Sequence, residues 1–347
     1  MTYKNLSPQE MFFKMAVKNK PKYRFGNNTK FKEWKERALP HVLNTLGKFP
    51  DIVPLNPVLM AEWNSDGVKT QRWSIDVGDD ISAIFMINIP EILKSNEKAP
   101  SILCWHGHGK YGKFSVMGSD SFDVRNEIQE FNCDYGWKLA KKGFVTFAID
   151  WIGGGERSDD NKPNYKSNSF GRDWCNLYYL HATMLGMTPL SINLIHGKLA
   201  TNFACTLPNV DENKLGVMGL SGGGVMTLWS TLFDERFKAT QIIGYSDLWA
   251  YFGFRDLNYC GMQVAPGLFT LVDVPELQGL IAPRPLLIDI GANDNCFVVD
   301  TSYTCFKKLQ FIYKKAKAEH NLHFEFHSGG HEWGGEKSDS FFRDYLV

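Results

Sequence analysis

Apolar residues near the start of the chain recur at three- and four-residue intervals: Phe12, Phe13 and Val17, then Phe31, Trp34, Ala38, Leu39, Val42, Leu43 and Leu46. That spacing predicts amphipathic helices. The segment Asp51–Pro57 carries Pro54 and Pro57 and ends the helical stretch, because proline cannot continue it. Residues 1–70 therefore read as a helical extension packed on a main body. From residue 71 the pattern changes. Trp73, Ile75 and Val77 alternate with polar residues. Short apolar runs follow at Ile81–Ile89, Pro100–Trp105, Phe144–Ile149, Leu215–Met218, Ala239–Tyr245 and Pro285–Ile290, with His323–His327 last. Runs bounded by Gly and Pro suit strands buried on both faces of a parallel sheet. Helical stretches lie between them. Ile128–Lys142 ends at Gly143, a good cap. Trp174–Leu207 is predicted helical with a break near Gly186–Pro189, and Ser302–Ala318 sets Phe306, Leu309, Ile312 and Tyr313 against a lysine-rich face. The alternation predicts an α/β class fold over 71–347, a doubly wound, mostly parallel sheet of about eight strands. Gly153, Gly154 and Gly155 predict a flexible turn.

Composition narrows the function. The 347 residues can bury a sizeable core without disulfides or metals. Lys+Arg is 38 and Asp+Glu is 38, so the formal charge is 38 − 38 = 0. Nucleic-acid and anionic-membrane partners need a basic excess, and neither is expected. The 7 cysteines are odd in number and form no C-x-x-C pair, so neither a disulfide framework nor a zinc knuckle is expected. Met1–Lys20 has no apolar run of signal-peptide length, and no stretch nears the ~18 apolar residues of a membrane span. The expectation is a soluble, cytoplasmic protein. The 14% aromatic content, with 10 Trp, suits a large apolar pocket or interface.

Candidate chemistry enters with Gly219-Leu-Ser-Gly-Gly223, a G-x-S-x-G set after the strand at Leu215–Met218 and before the helical run Val225–Phe233. A nucleophilic serine is presented on such a strained strand-to-helix turn, which the glycines let close. His106-Gly-His-Gly109 follows another strand. A backbone N–H at His108 or Gly109 there, with that of Gly222, would complete an oxyanion hole. Asp294 follows the strand at Pro285–Ile290, and His331 follows the last strand. Asp289, inside its strand, and Asp300, read as a helix N-cap, are rivals for the acid. The chain order Ser221, Asp294, His331 is the order that this nucleophile turn uses. Each sits at the C-terminal end of a predicted strand, where α/β sheets place ligands. Two metal readings compete, one on His106 with His108 and one on His320, His323, His327 and His331. The first lacks evident further ligands, and in the second Gly329-Gly330 breaks any common helix face. No metal ligand set and no cofactor are expected.

These motifs resemble the α/β-hydrolase superfamily, and more closely its acetyl xylan esterase-like and dienelactone hydrolase-like branch. The resemblance spans roughly residues 75–347. It is carried by His106-Gly-His-Gly109, Asp150-Trp-Ile-Gly-Gly-Gly-Glu-Arg157, Gly219-Leu-Ser-Gly-Gly-Gly224, Ile281-Ala-Pro-Arg-Pro285 leading to Gly291-Ala-Asn-Asp294, and Gly330-His-Glu-Trp333. It implies an α/β-hydrolase catalytic domain with Ser221 as nucleophile, Asp294 as acid and His331 as base. Two departures bear on substrate. Sugar-deacetylating members carry Arg-Gly-Gln where this chain has His-Gly-His, and dienelactone hydrolases use a cysteine nucleophile.

The expected activity is therefore hydrolysis of small acyl esters, acetyl esters and sugar esters among them, through an acyl-enzyme. A serine peptidase or another amide or lactone hydrolase of the same fold is the alternative. His106, Trp151, Trp174 and Glu332 are candidate pocket residues. Aromatic stretches around Tyr165, Phe170, Trp174, Tyr178 and Tyr179, and from Trp249 to Tyr259, could line or cover it, and Arg157, Arg172 and Arg255 could hold a carboxylate. The partner expected is a small-molecule ester, and a homo-oligomer is compatible with the sequence.

Overall fold

The computed structural model describes residues 6–159 and 174–347. Tyr165, Phe170 and Arg172 lie outside the described residues. Nine strands form one sheet among them: β1 (Val58–Ser65), β2 (Val68–Gly78), β3 (Ile81–Pro90), β4 (Ala99–Trp105), β5 (Val145–Ile149), β6 (Val210–Leu220), β7 (Phe237–Ile243), β8 (Leu286–Gly291) and β9 (Leu322–His327). Their order is β1-β2-β3-β5-β4-β6-β7-β8-β9. The pairs β1–β2, β2–β3 and β3–β5 are antiparallel, and every pair from β5–β4 to β8–β9 is parallel.

The unbroken apolar runs are explained by burial on both faces. Along β5, Val145, Phe147 and Ile149 join one core cluster, while Ala148, with Phe144 just ahead of the strand, joins the other. Along β4, Leu103 and Trp105 face the first cluster and Ile102 and Cys104 the second. A strand whose side chains alternate between two dry layers has no polar face to show in its sequence.

The expected eight strands are present, and β1 is added. Residues 58–70 therefore do not belong to a helical extension, and a boundary at 70/71 falls inside β2. Strand β1 was not legible because seven of its eight residues are exposed, so no buried face imposes a period. The two N-terminal helices, Pro8–Lys18 and Phe31–Asn44, do form. Trp34, Ala38, Val42 and Leu46 enter the first core cluster, so the second of these helices shares the main core. The helix expected over Ile128–Lys142 is two helices, Phe122–Phe131 and Tyr135–Ala140. Asn132 stops the first by turning left-handed at φ 43°. No helix of the described residues is long and apolar enough to cross a membrane.

Candidate active site

Strand β6 ends at Leu220, and the helix Gly222–Phe233 begins two residues later. Ser221 makes the corner with φ 58° and ψ −117°. A non-glycine residue there carries strain of about 1–3 kcal/mol, held only because its surroundings over-determine it. Those surroundings are visible. The Ser221 N–H donates to the Ile243 carbonyl at 2.9 Å. A Cβ on Gly219 would stand 2.5 Å from the Gly223 carbonyl oxygen. One on Gly223 would stand 2.8 Å from the His106 carbonyl oxygen and closer still to that of Trp105. Glycine at both positions lets the helix turn back against β4.

His331 follows β9. Its Nδ1 lies 2.8 Å from Asp294 Oδ2. The other carboxylate oxygen accepts the N–H groups of Cys296 at 2.7 Å and Phe297 at 2.9 Å. Asp294 is thus fixed on both oxygens, with a side chain only 1% exposed. The Phe297 ring stacks on the imidazole at 5.6 Å between centroids. With Nδ1 donating to the carboxylate, Nε2 is the nitrogen left free to accept a proton.

Ser221 and His331 line one cavity of about 300 Å³ together with His106, His108 and Gly109. Val116, Phe131 and Leu220 give it an apolar wall, and Lys110, Ser115 and Glu127 a polar one. Gly222 begins the helix behind Ser221, with its backbone N–H at the positive end of the helix dipole. The loop after β4 passes close to the serine, since a Cβ on Gly107 would lie 3.5 Å from Ser221 Cβ. The His108 ring packs beside Gly222 and edge-on to Trp151 at 5.0 Å.

The expected pocket residues divide. His106 lines the cavity, whereas Trp151, Trp174 and Glu332 are not among its lining residues. Trp151 instead braces the loop from behind. Its ring stacks on His106 at 5.1 Å, and its Nε1–H donates to the His106 carbonyl at 2.9 Å. Burial holds the His106 imidazole down at about 4, so it is neutral, and its Nε2 accepts the Trp151 N–H at 3.3 Å. Trp174 stacks on Tyr178 in its own helix, and Glu332 folds back to accept the Gly330 N–H at 3.1 Å. The rival acids are placed elsewhere. Asp289 is buried in β8, where it accepts from the Gly334 N–H at 3.2 Å, and burial pushes its carboxyl well up. Asp300 is not an N-cap; Val298 occupies that position of the helix Val299–Lys315. Nor do the late histidines converge on one point. His323 pairs with Tyr345, His327 faces Asp289, and His331 faces Asp294.

Sequence spacing missed two features. One is Glu127, on the helix Phe122–Phe131, which brings a carboxylate into the cavity and accepts from the Ser115 hydroxyl. The other gives the Asp150–Arg157 motif its role. The Lys113 ammonium is fully buried between Asp150 Oδ2 and Glu156 Oε2, each at 2.6 Å. Asp150 also accepts the Lys113 N–H at 2.8 Å and the Glu156 N–H at 3.0 Å. This knot ties the far end of the loop after β4 to the turn after β5. The three glycines are part of it: Gly153 at φ 91° and Gly155 at φ 51° make a packed turn.

Comparison with known proteins agrees with this architecture. Residues 3–228 match the model of the Abhydrolase family, and residues 199–345 match that of the prolyl oligopeptidase family. A candidate hydrolase of Bacillus subtilis (strain 168), YtaP, is 23% identical over 273 residues, covering 77% of this chain and 84% of YtaP. A crystal structure described as a candidate acetyl xylan esterase from Bacteroides fragilis NCTC 9343 superposes with TM-score 0.73 at 18% identity, over 99% of this chain and 91% of that one. A glucuronoyl esterase from Solibacter usitatus superposes with TM-score 0.64 at 14% identity, over 91% and 93%. The chain belongs to the Abhydrolase family and is a hydrolase of the α/β-hydrolase fold.

Proposed function

We propose that the protein is a serine carboxylesterase for small acyl esters, with acetyl esters of sugars the first to try. One observation carries the reading: a strained serine and an Asp-held histidine open onto the same cavity of about 300 Å³. In the proposed reaction Ser221 Oγ attacks the ester carbonyl and gives its proton to His331 Nε2. Asp294 holds the imidazole in the tautomer that can accept it and stabilises the imidazolium. The Gly222 N–H and an N–H at His108 or Gly109 receive the developing oxyanion. The alcohol leaves with the proton from His331, and water, activated by the same nitrogen, hydrolyses the acyl-enzyme. The cavity's size and its apolar wall of Val116, Phe131 and Leu220 favour a short acyl group. The esterases among the superposing structures, described as acting in acetyl xylan and glucuronoyl chemistry, support an ester over an amide.

Hydrolysis of p-nitrophenyl acetate, butyrate and octanoate tests the proposal, with and without chelator, alongside Ser221→Ala. Turnover that falls with chain length and disappears in the variant is expected. Hydrolysis that survives Ser221→Ala would overturn it. The match of residues 199–345 to the prolyl oligopeptidase family favours a second reading, peptide-bond hydrolysis. Faster turnover of an aminoacyl p-nitroanilide than of the acetate would select it.

A further inference from the structure

The loop after β4 also brings one of its histidines up to two thiols. His108 Nε2, Cys175 Sγ and Cys260 Sγ all lie within 4.8 Å of one another. The His108 nitrogen is 3.1 Å from the Cys260 sulfur. The residues come from three separate segments: the loop after β4, the first turn of the helix Trp174–Met184, and the loop ahead of the short turn Gly261–Gln263. We propose that these three side chains form a binding site for a soft, thiophilic divalent cation of the Zn²⁺ class.

The donor set and its geometry support this. Two sulfurs and one imidazole are ligands that such cations prefer over hard ones. With Zn–S near 2.3 Å and Zn–N near 2.0–2.1 Å, tetrahedral ligand atoms stand about 3.5–3.8 Å apart. The grouping brackets that spacing, with the His108 nitrogen 3.1 Å from the Cys260 sulfur and every pair within 4.8 Å. The two thiol-bearing segments are also locked to each other. The Gly261 N–H donates to Asn176 Oδ1 at 2.9 Å. A Cβ on Gly261 would stand 2.9 Å from the Cys175 carbonyl oxygen and closer still to Tyr179 Cβ, so only glycine permits this approach. The His108 ring is oriented by its edge-on contact with Trp151. Oriented ligands are what outer-sphere contacts provide in metal sites. Binding at this site does not depend on the esterase reading.

Co²⁺ titration of the reduced, chelator-stripped protein provides the test, read by thiolate-to-cobalt charge-transfer absorption and by Zn²⁺ competition. One equivalent should bind. Cys175→Ser and Cys260→Ser should each weaken binding by at least about a hundredfold, since even outer-sphere partners of a metal cost 10- to 100-fold. In unsubstituted protein, Zn²⁺ should protect Cys175 and Cys260 from alkylation and leave Cys205 reactive, a readout independent of how the variants fold. Cys296→Ser serves as control, because Asp294, Cys296 and His331 make the other close grouping among the described residues. Absence of a thiolate band, a band unchanged in both cysteine variants, or one lost in Cys296→Ser would overturn the proposal.

Discussion

Replacing Lys113 by Met removes the cation at the centre of the knot behind the candidate oxyanion loop. Met has nearly the same length, so packing changes little and charge changes most. The Lys113 side chain is 0% exposed and Asp150 1% exposed, so water cannot replace the lost ammonium. Glu156 is 31% exposed and can turn outward, so it adds little to the cost. Asp150 keeps the backbone N–H groups of Lys113 and Glu156. Breaking a buried ion pair by deleting one partner costs about 3–5 kcal/mol, and Asp150 fits that case. At about 2 °C per kcal/mol for a chain of this size, Tm should fall by roughly 6–10 °C.

The pH dependence gives a second reading of the same event. Burial pushes the Asp150 carboxyl up, but the Lys113 charge, His106 and the hydrogen bonds from Lys113 together hold it below its ordinary value. A depressed carboxyl stabilises the fold above the unfolded value, near pH 4, and that contribution is lost as pH falls through the folded value. In Lys113→Met burial is left without its opposing charge. Asp150 then titrates above its unfolded value, and ionising it costs stability as pH rises past about 4. The gap in Tm between the two proteins should therefore be wider at about pH 8 than at about pH 5. A loss of less than about 1 kcal/mol, or a gap independent of pH, would mean that Lys113 does not offset the buried charge of Asp150.

Three further outcomes are expected. Gly223→Ala drives a Cβ against two backbone carbonyls that cannot swing aside, so it should cost at least about 1–3 kcal/mol by chemical denaturation and lower kcat with it. Burial lowers His106 to about 4 against an unfolded value near 6.5, so the unfolded chain takes up the proton first and stability is lost progressively as pH falls from about 6.5 toward 4. His106→Gln should flatten the acid limb of the Tm–pH curve in that window. Glu127→Gln removes a carboxylate from the cavity wall and should raise kcat/KM for an anionic half-ester, p-nitrophenyl succinate, relative to the acetate by about tenfold, or 1.4 kcal/mol. An unchanged ratio would remove Glu127 from substrate selection.

What the sequence carried and what it did not follow from the same physics. Strands β3 to β8 were legible because buried faces make nearly continuous apolar runs, and β2 and β9 because apolar and polar residues alternate along them. Strand β1 was silent, since an exposed edge imposes no pattern. Asn132 divides a helix that the apolar spacing joined, because a single left-handed residue leaves no mark on periodicity. Ser221, Asp294 and His331 could be singled out because each follows its own strand, and the sheet then brings the histidine and the acid to 2.8 Å. Distances between loops have no such rule. Lys113 with Asp150 and Glu156, Glu127 in the cavity, and His108 with Cys175 and Cys260 are meetings of segments far apart in sequence. Trp151 and Trp174 were expected in the pocket on residue type alone, and the first supports the loop from behind while the second packs in its own helix.

In the proposed reaction Ser221 is a nucleophile activated by His331. A fluorophosphonate, which reacts with activated serines, tests it with no assumption about substrate, and mass spectrometry locates the adduct. One phosphonylated residue per chain is expected, at Ser221, with no adduct in Ser221→Ala and labelling slowed by several powers of ten in His331→Ala. Labelling at another residue, or at an undiminished rate without His331, would contradict it.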